Sequence, residues 1–130
     1  MLTMRNVLLV ALGGGVGSAL RAMLVWGTAA RVGSSFPLGV LLVNVIGCFV
    51  FGLAVRYGVQ SAAMSDSTRL LITTGLCGGF TTFSAFGFDV LEGLENGRTT
   101  MVTSYVIASI VLGVGAMLIG ISLARSLGRS

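Results

Sequence analysis

The residues best suited to chemistry lie in one stretch, Thr73-Thr74-Gly75-Leu76-Cys77-Gly78-Gly79-Phe80-Thr81-Thr82-Phe83-Ser84-Ala85-Phe86. Two adjacent glycines followed by two β-branched threonines make poor helix material. A helix broken there frees backbone N–H and C=O groups, and two kinds of ion suit them. Freed carbonyls, with the threonine hydroxyls, suit a hard cation such as Na⁺. A half-helix restarting near Thr82 presents N–H groups and a positive dipole end to an anion. A continuous glycine-rich packing helix is the other reading of the same residues. Phe83 and Phe86 are three residues apart, hence on one helical face. Aromatic rings are positive at their edges, so the pair can line a narrow path for a small anion, with the Thr82 and Ser84 hydroxyls as nearby donors. Away from such a break, two phenylalanines in an apolar helix are ordinary lipid-facing or core residues.

Two further polar features lie in apolar surroundings. Asn44, in Val43-Asn44-Val45, can donate to an anion or bond across to another helix. Tyr105 and Ser109, spaced i, i+4 with Gly113 at i+8, form a narrow polar stripe that can line a pore or pack an interface. The chain has no His, and Asp89, Glu92 and Glu95 cluster at the end of the third apolar stretch. There is no general acid–base pair at depth, no nucleophile–base arrangement and no nucleotide loop. The first half has no carboxylate to couple protons to transport. These absences point to passive conduction rather than a pump or an enzyme.

The elements that would carry these residues are membrane spans. Of 130 residues, 9% are charged and 55% hydrophobic, against about 25% charged in a soluble domain. So short a chain cannot bury that much apolar surface in water. The charges divide it into stretches of about the 20 residues a spanning helix needs. The expected fold is all-α: a single transmembrane domain over 1–130, with helices at about 5–28, 38–57, 68–94 (broken near 78–82) and 99–125. Lipid-facing barrel strands would alternate apolar and polar residues, and these runs do not. The first run continues past Trp26, too long for a secretory h-region, and is read as a retained span.

All eight basic residues are arginines, scattered rather than patched, which speaks against nucleic acid. Cys48 and Cys77 lie in apolar runs with no CxxC pair, so neither a disulfide framework nor a zinc site is expected. The connections are short: Arg31 to Leu38 with Ser34, Ser35 and Pro37; Tyr57 to Thr68; and a tight Asn96-Gly97-Arg98 turn. Arg5, Arg56, Arg69, Arg125 and Arg129 fall on one side, Arg31 and Arg98 on the other, which leans toward cytoplasmic termini. Gly13, Gly17 and Arg21 share one face of the first span. Arg21 thus lies either on a packing face or near enough to the helix end to snorkel, and a water-filled vestibule reconciles the two.

Three segments carry a resemblance to a known family: Gly14-Gly15-Val16-Gly17-Ser18-Ala19-Leu20-Arg21, the Gly39 to Gly47 region around Asn44, and Thr74 to Phe86. The chain resembles the Fluc, or CrcB, fluoride channels, with Gly78-Gly79-Phe80-Thr81-Thr82-Phe83-Ser84-Ala85-Phe86 similar to the signature GG-x-[ST]-T-F-S-x-F. The resemblance implies an antiparallel, dual-topology dimer with two fluoride pathways along its interface. It implies a central structural Na⁺ held by the Gly78 and Thr81 carbonyls of each subunit. Phe83 and Phe86 would be the pore phenylalanines, with Asn44 donating to fluoride and Tyr105 and Ser109 along the fourth-span side. It further implies passive export of cytoplasmic fluoride across a prokaryotic inner membrane, after entry as the weak acid HF.

The chain departs from the family pattern at Val40 (a threonine there), Gly87 and Gly113 (serines) and Asp89 (a glutamate), which thins the hydroxyl track. A paralogous partner remains an alternative to the homodimer. A small four-span drug exporter is a rival function, but it needs a carboxylate in the first span. A non-conducting assembly subunit is another rival, and it has no need of a Gly-Gly break beside a Phe pair.

Overall fold

The structure, a computed structural model, describes residues 3–33, 35–60 and 64–128. Ser34 of the first loop and Arg129 of the charge count lie outside the described residues. All described regular structure is helical, and four helices are long and apolar enough to cross a membrane: Met4–Val32, Leu38–Gly58, Asp66–Glu95 and Thr99–Leu127.

Helix α1 (Met4–Val32) starts where the Thr3 side chain accepts the Asn6 N–H, and stops at Gly33, whose φ of 80° suits a residue without Cβ. Helix α2 (Leu38–Gln60) follows Pro37, whose carbonyl accepts the Leu41 N–H. The third span is composite. Helix α3 (Asp66–Leu70), capped by Ser65 on the Thr68 N–H, runs into a π-helical segment, Leu71–Cys77, and then the single turn α4 (Gly78–Phe80). Thr81 (φ −80°, ψ 156°) and Thr82 (φ −151°, ψ 116°) are extended, and α5 (Phe83–Glu95) follows. Gly78 is itself helical, at φ −63°, ψ −37°; the extended backbone belongs to the threonines, whose branched side chains favour it.

Helix α5 ends in a Schellman-type turn. The Arg98 N–H reaches back to the Gly93 carbonyl at 2.8 Å, and Gly97 takes φ 69°. Helix α6 (Thr99–Leu127) completes the fold.

Close backbone approach at glycine sets the packing. Helix α1 lies mainly against the π segment and α4, and α2 mainly against α6. Gly13 and Gly17 are the buried residues of α1. A Cβ on Gly75 would stand 3.1 Å from the Val10 carbonyl and 3.2 Å from the Gly13 Cα, so the two backbones touch directly. Between helices in lipid, such contact replaces the hydrophobic driving force available in water. Gly120 performs the same service for α6 against the Phe49 carbonyl and Leu53 N–H of α2.

Candidate functional site

Two extended residues at mid-span leave backbone groups that lipid cannot satisfy, and each missing bond there costs several kcal/mol. The preceding turn of the third span supplies one partner for the Thr81 and Thr82 backbone, and the neighbouring helices supply three. The Thr81 N–H bonds the Cys77 carbonyl at 2.9 Å, and the Thr81 carbonyl accepts from Arg21 Nη1 at 3.1 Å. The Asn44 amide pairs with Thr82 on both sides, Oδ1 accepting its N–H at 2.8 Å and Nδ2 donating to its carbonyl at 3.1 Å. Asn44 thus acts as a one-residue β-ladder from α2, and Arg21 as a donor from α1. The face carrying Gly13, Gly17 and Arg21 is the packing face of α1, with the guanidinium turned to the third span. Ser18, which the sequence did not single out, donates to the Gly79 carbonyl at 3.4 Å; its place one turn from Gly14 was the available signal.

Other groups stay open. A regular helix would direct the Thr82 N–H to the Gly78 carbonyl, but Asn44 holds it. Among the described residues, no hydrogen bond from outside the helices reaches the Gly78 or Phe80 carbonyl. At the start of α5, Thr82 Oγ1 caps the Ala85 N–H at 3.2 Å. The Phe83 and Ser84 N–H groups precede the first intrahelical acceptor. Ser84 Oγ sits 3.2 Å from Thr82 Oγ1.

Apart from Arg21 and Ser84, the predicted site residues fall into three groups. Asn44, Thr82, Phe83, Phe86 and Ser109 line one cavity of about 300 Å³. The Phe83 and Phe86 rings stand 5.7 Å apart at 36°, and Phe83 projects from the chain with 84% of its surface exposed. Ser109 Oγ is buried without a hydrogen-bond partner among the described residues. Gly78 lines a second, adjacent cavity, and Thr81 lines both. Tyr105 belongs to neither: it is fully buried behind Phe86 (ring centroids 5.2 Å apart), edge-on to Phe36. Its hydroxyl donates to Asp89 Oδ2 at 3.0 Å. Asp89, Glu92 and Arg98 line a third pocket, near the α1–α2 turn. Among the described residues there is no cluster of three His, Cys, Asp or Glu side chains for a metal.

Four membrane-length helices, with polar groups gathered at an irregular mid-span backbone, define a multi-pass membrane protein of the channel or transporter class. A family model described as CrcB-like protein, Camphor Resistance (CrcB), matches residues 8–121. Proteins named fluoride-specific ion channel FluC share its sequence closely. The protein from Chelativorans sp. (strain BNC1) is 40% identical over 124 residues, covering 95% of this chain and 99% of that one. The one from Roseiflexus sp. (strain RS-1) is 40% identical over 122 residues (94% and 98%). That from Rhizobium leguminosarum bv. trifolii (strain WSM2304) is 41% identical over 124 residues (95% and 99%). The chain belongs to the CrcB-like family, a family of ion channels and not of enzymes.

Proposed function

We propose that this chain is a fluoride-selective passive channel that exports cytoplasmic fluoride down its electrochemical gradient from the inner membrane of a prokaryote. One observation carries the reading: donors and phenylalanine rings line a single mid-span cavity, with Asn44, Thr82 and Ser109 beside Phe83 and Phe86. A small anion must exchange its hydration shell for donors without being held too tightly. The second Nδ2 proton of Asn44, the unpartnered Ser109 hydroxyl and the N–H groups at the start of α5 can offer that exchange. The relatives' name supports fluoride as the ion.

The working unit in this reading is an antiparallel homodimer. Phe83, so exposed on one chain, would lie against the second subunit and complete the pathway there. Tyr105 orders it from behind by backing Phe86. A central Na⁺ fits the donor set: the Gly78 carbonyl lacks its helical partner, and the Thr81 carbonyl keeps one lone pair beside Arg21. Two hard oxygens per chain fall short of a Na⁺ shell, so a second copy supplies the others. Bound there, the ion would neutralise the carbonyl dipoles where the subunits meet.

The test is fluoride efflux from liposomes, with K⁺ and valinomycin balancing charge. Rapid efflux without chloride efflux is expected, falling about tenfold or more in Phe83→Ile with the dimer intact. A Phe83→Ile protein conducting like the parent would remove Phe83 from the pathway; no efflux from folded, dimeric parent would overturn the proposal. For the cation, Gly78→Ala is diagnostic. Its added Cβ would meet only the Thr73 carbonyl, at 4.0 Å, so one chain accommodates it. The expected result is a folded monomer whose dimerisation no longer strengthens with Na⁺, because the Cβ crowds the carbonyl cage; unchanged Na⁺-dependent dimerisation would mean that no partner surface closes on residue 78, against a cage there.

A further inference from the structure

The cavity beside Gly78 and Thr81, of about 190 Å³, is also lined by three sulfur side chains, Cys48, Cys77 and Met117. They come from three separate elements: α2, the π segment and α6. Cys48 Sγ lies 3.7 Å from where a Cβ on Gly113 would stand. Gly113 is one turn before Met117 on the same face of α6. Met117 Cγ lies 3.1 Å from the corresponding point on Gly52, one turn after Cys48 on α2. The two helices thus meet along a seam on which glycine faces a sulfur residue at each level, with the sulfurs on alternate sides. Cys77, 3% exposed, enters from the third span between Thr73 and Thr81. Those two hydroxyls donate to their own helix, Thr73 Oγ1 to Arg69 O and Thr81 Oγ1 to Cys77 O. Both cysteines are free thiols.

Thiolate and thioether sulfur select soft cations over Na⁺, Mg²⁺ or Ca²⁺. Mid-membrane position adds a charge criterion, because a net charge is costly in low dielectric. A monovalent soft cation that displaces one thiol proton gives a neutral thiolate–metal unit, which a second thiol and a thioether can complete. We propose that Cys48, Cys77 and Met117 form a binding site for a soft monovalent cation of the copper(I)/silver(I) class. On binding, one S–H bond breaks, one sulfur–metal bond forms and the proton leaves to solvent; no electrons are transferred. The site uses none of the carbonyl oxygens and stands whether or not the chain conducts fluoride.

Silver(I) titrated into the purified, reduced protein in excess Na⁺ nitrate, read by native mass spectrometry, tests this without reference to ion flux. One Ag⁺ per chain is expected. Loss of a direct ligand should exceed the about 10–100-fold affinity loss typical of an outer-shell partner, for Cys48→Ser and Cys77→Ser alike, with a smaller loss for Met117→Leu. Met117→Leu preserves helix and volume, so its weakened binding is readable even if a cysteine variant fails to fold. X-ray absorption should show coordination by sulfur alone. Two independent Ag⁺ per chain, each lost with one cysteine, would overturn the shared site. So would no binding by the reduced parent, or parent-like binding by Met117→Leu together with a coordination shell containing oxygen.

Discussion

Asn44→Ala is expected to cost about 2–6 kcal/mol of stability, from two backbone groups left unsatisfied at about 1–3 kcal/mol each. Removing the amide frees the Thr82 N–H and carbonyl, bonded at 2.8 and 3.1 Å, at a depth where water is not at hand. The observable is the unfolding midpoint in detergent, with fluoride efflux as a second reading. Asn44→Asp should also lose conduction: its carboxylate still accepts the Thr82 N–H but cannot donate to the Thr82 carbonyl or to an anion, and its charge is costly at this depth. An alanine variant as stable as its parent would mean that Thr82 finds other partners, and that Asn44 does not fix the extended segment.

Gly17→Ala should be at least as damaging, by about 3 kcal/mol or more, through overpacking. An added Cβ would fall on the Leu76 carbonyl oxygen and stand 2.8 Å from the Phe80 backbone nitrogen. Both obstacles are backbone, so no side chain can turn aside, and α1 must part from the third span. Gly79→Ala presses from the other side, against the Gly14 carbonyl and 2.8 Å from its Cα. Gly15→Ala is the control. Nothing lies within 4 Å of its Cβ, and replacing a mid-helix glycine should stabilise by up to about 1 kcal/mol. Yield of monodisperse protein and thermal midpoint would report all three; a tolerated Gly17→Ala would contradict the close backbone contact.

Much of this architecture was legible in the sequence because charge is so sparse. Gaps between arginines and carboxylates give the four spans without reference to any helix signal. The spacing of Gly13, Gly17 and Arg21 puts them on one face of α1 but left Arg21 open between packing and snorkelling, which its bond to the Thr81 carbonyl decides. The π segment at Leu71–Cys77 was not legible: it differs from an α-helix by one residue per turn, and no residue type demands it. The Gly78-Gly79 pair drew attention as a weak point of the helix, yet the extended residues are the threonines beyond it. Glycine serves there by letting Gly14 approach, and helix propensity does not report that use. For Asn44 the sequence left two roles open, since its choice depends on where Thr82 lies, 38 residues away. Tyr105 and Ser109 share a helical stripe, but one faces Asp89 and the other the cavity. A stripe fixes direction around the axis and not the depth of the neighbour it meets.

The pairing of spans bears on how the chain matures after synthesis. Its principal contacts join α1 to the third span and α2 to α6, so neither of the main pairs unites neighbours in the chain. A translating ribosome therefore releases three spans before the first principal pair can close, and all four before the second can. Insertion and assembly are separate stages for membrane helices, and here topology forces the separation. Nascent chains arrested after the second span should still be extracted as unassembled helices and remain open to quality-control proteases, with protection beginning at the third span and completed by the last.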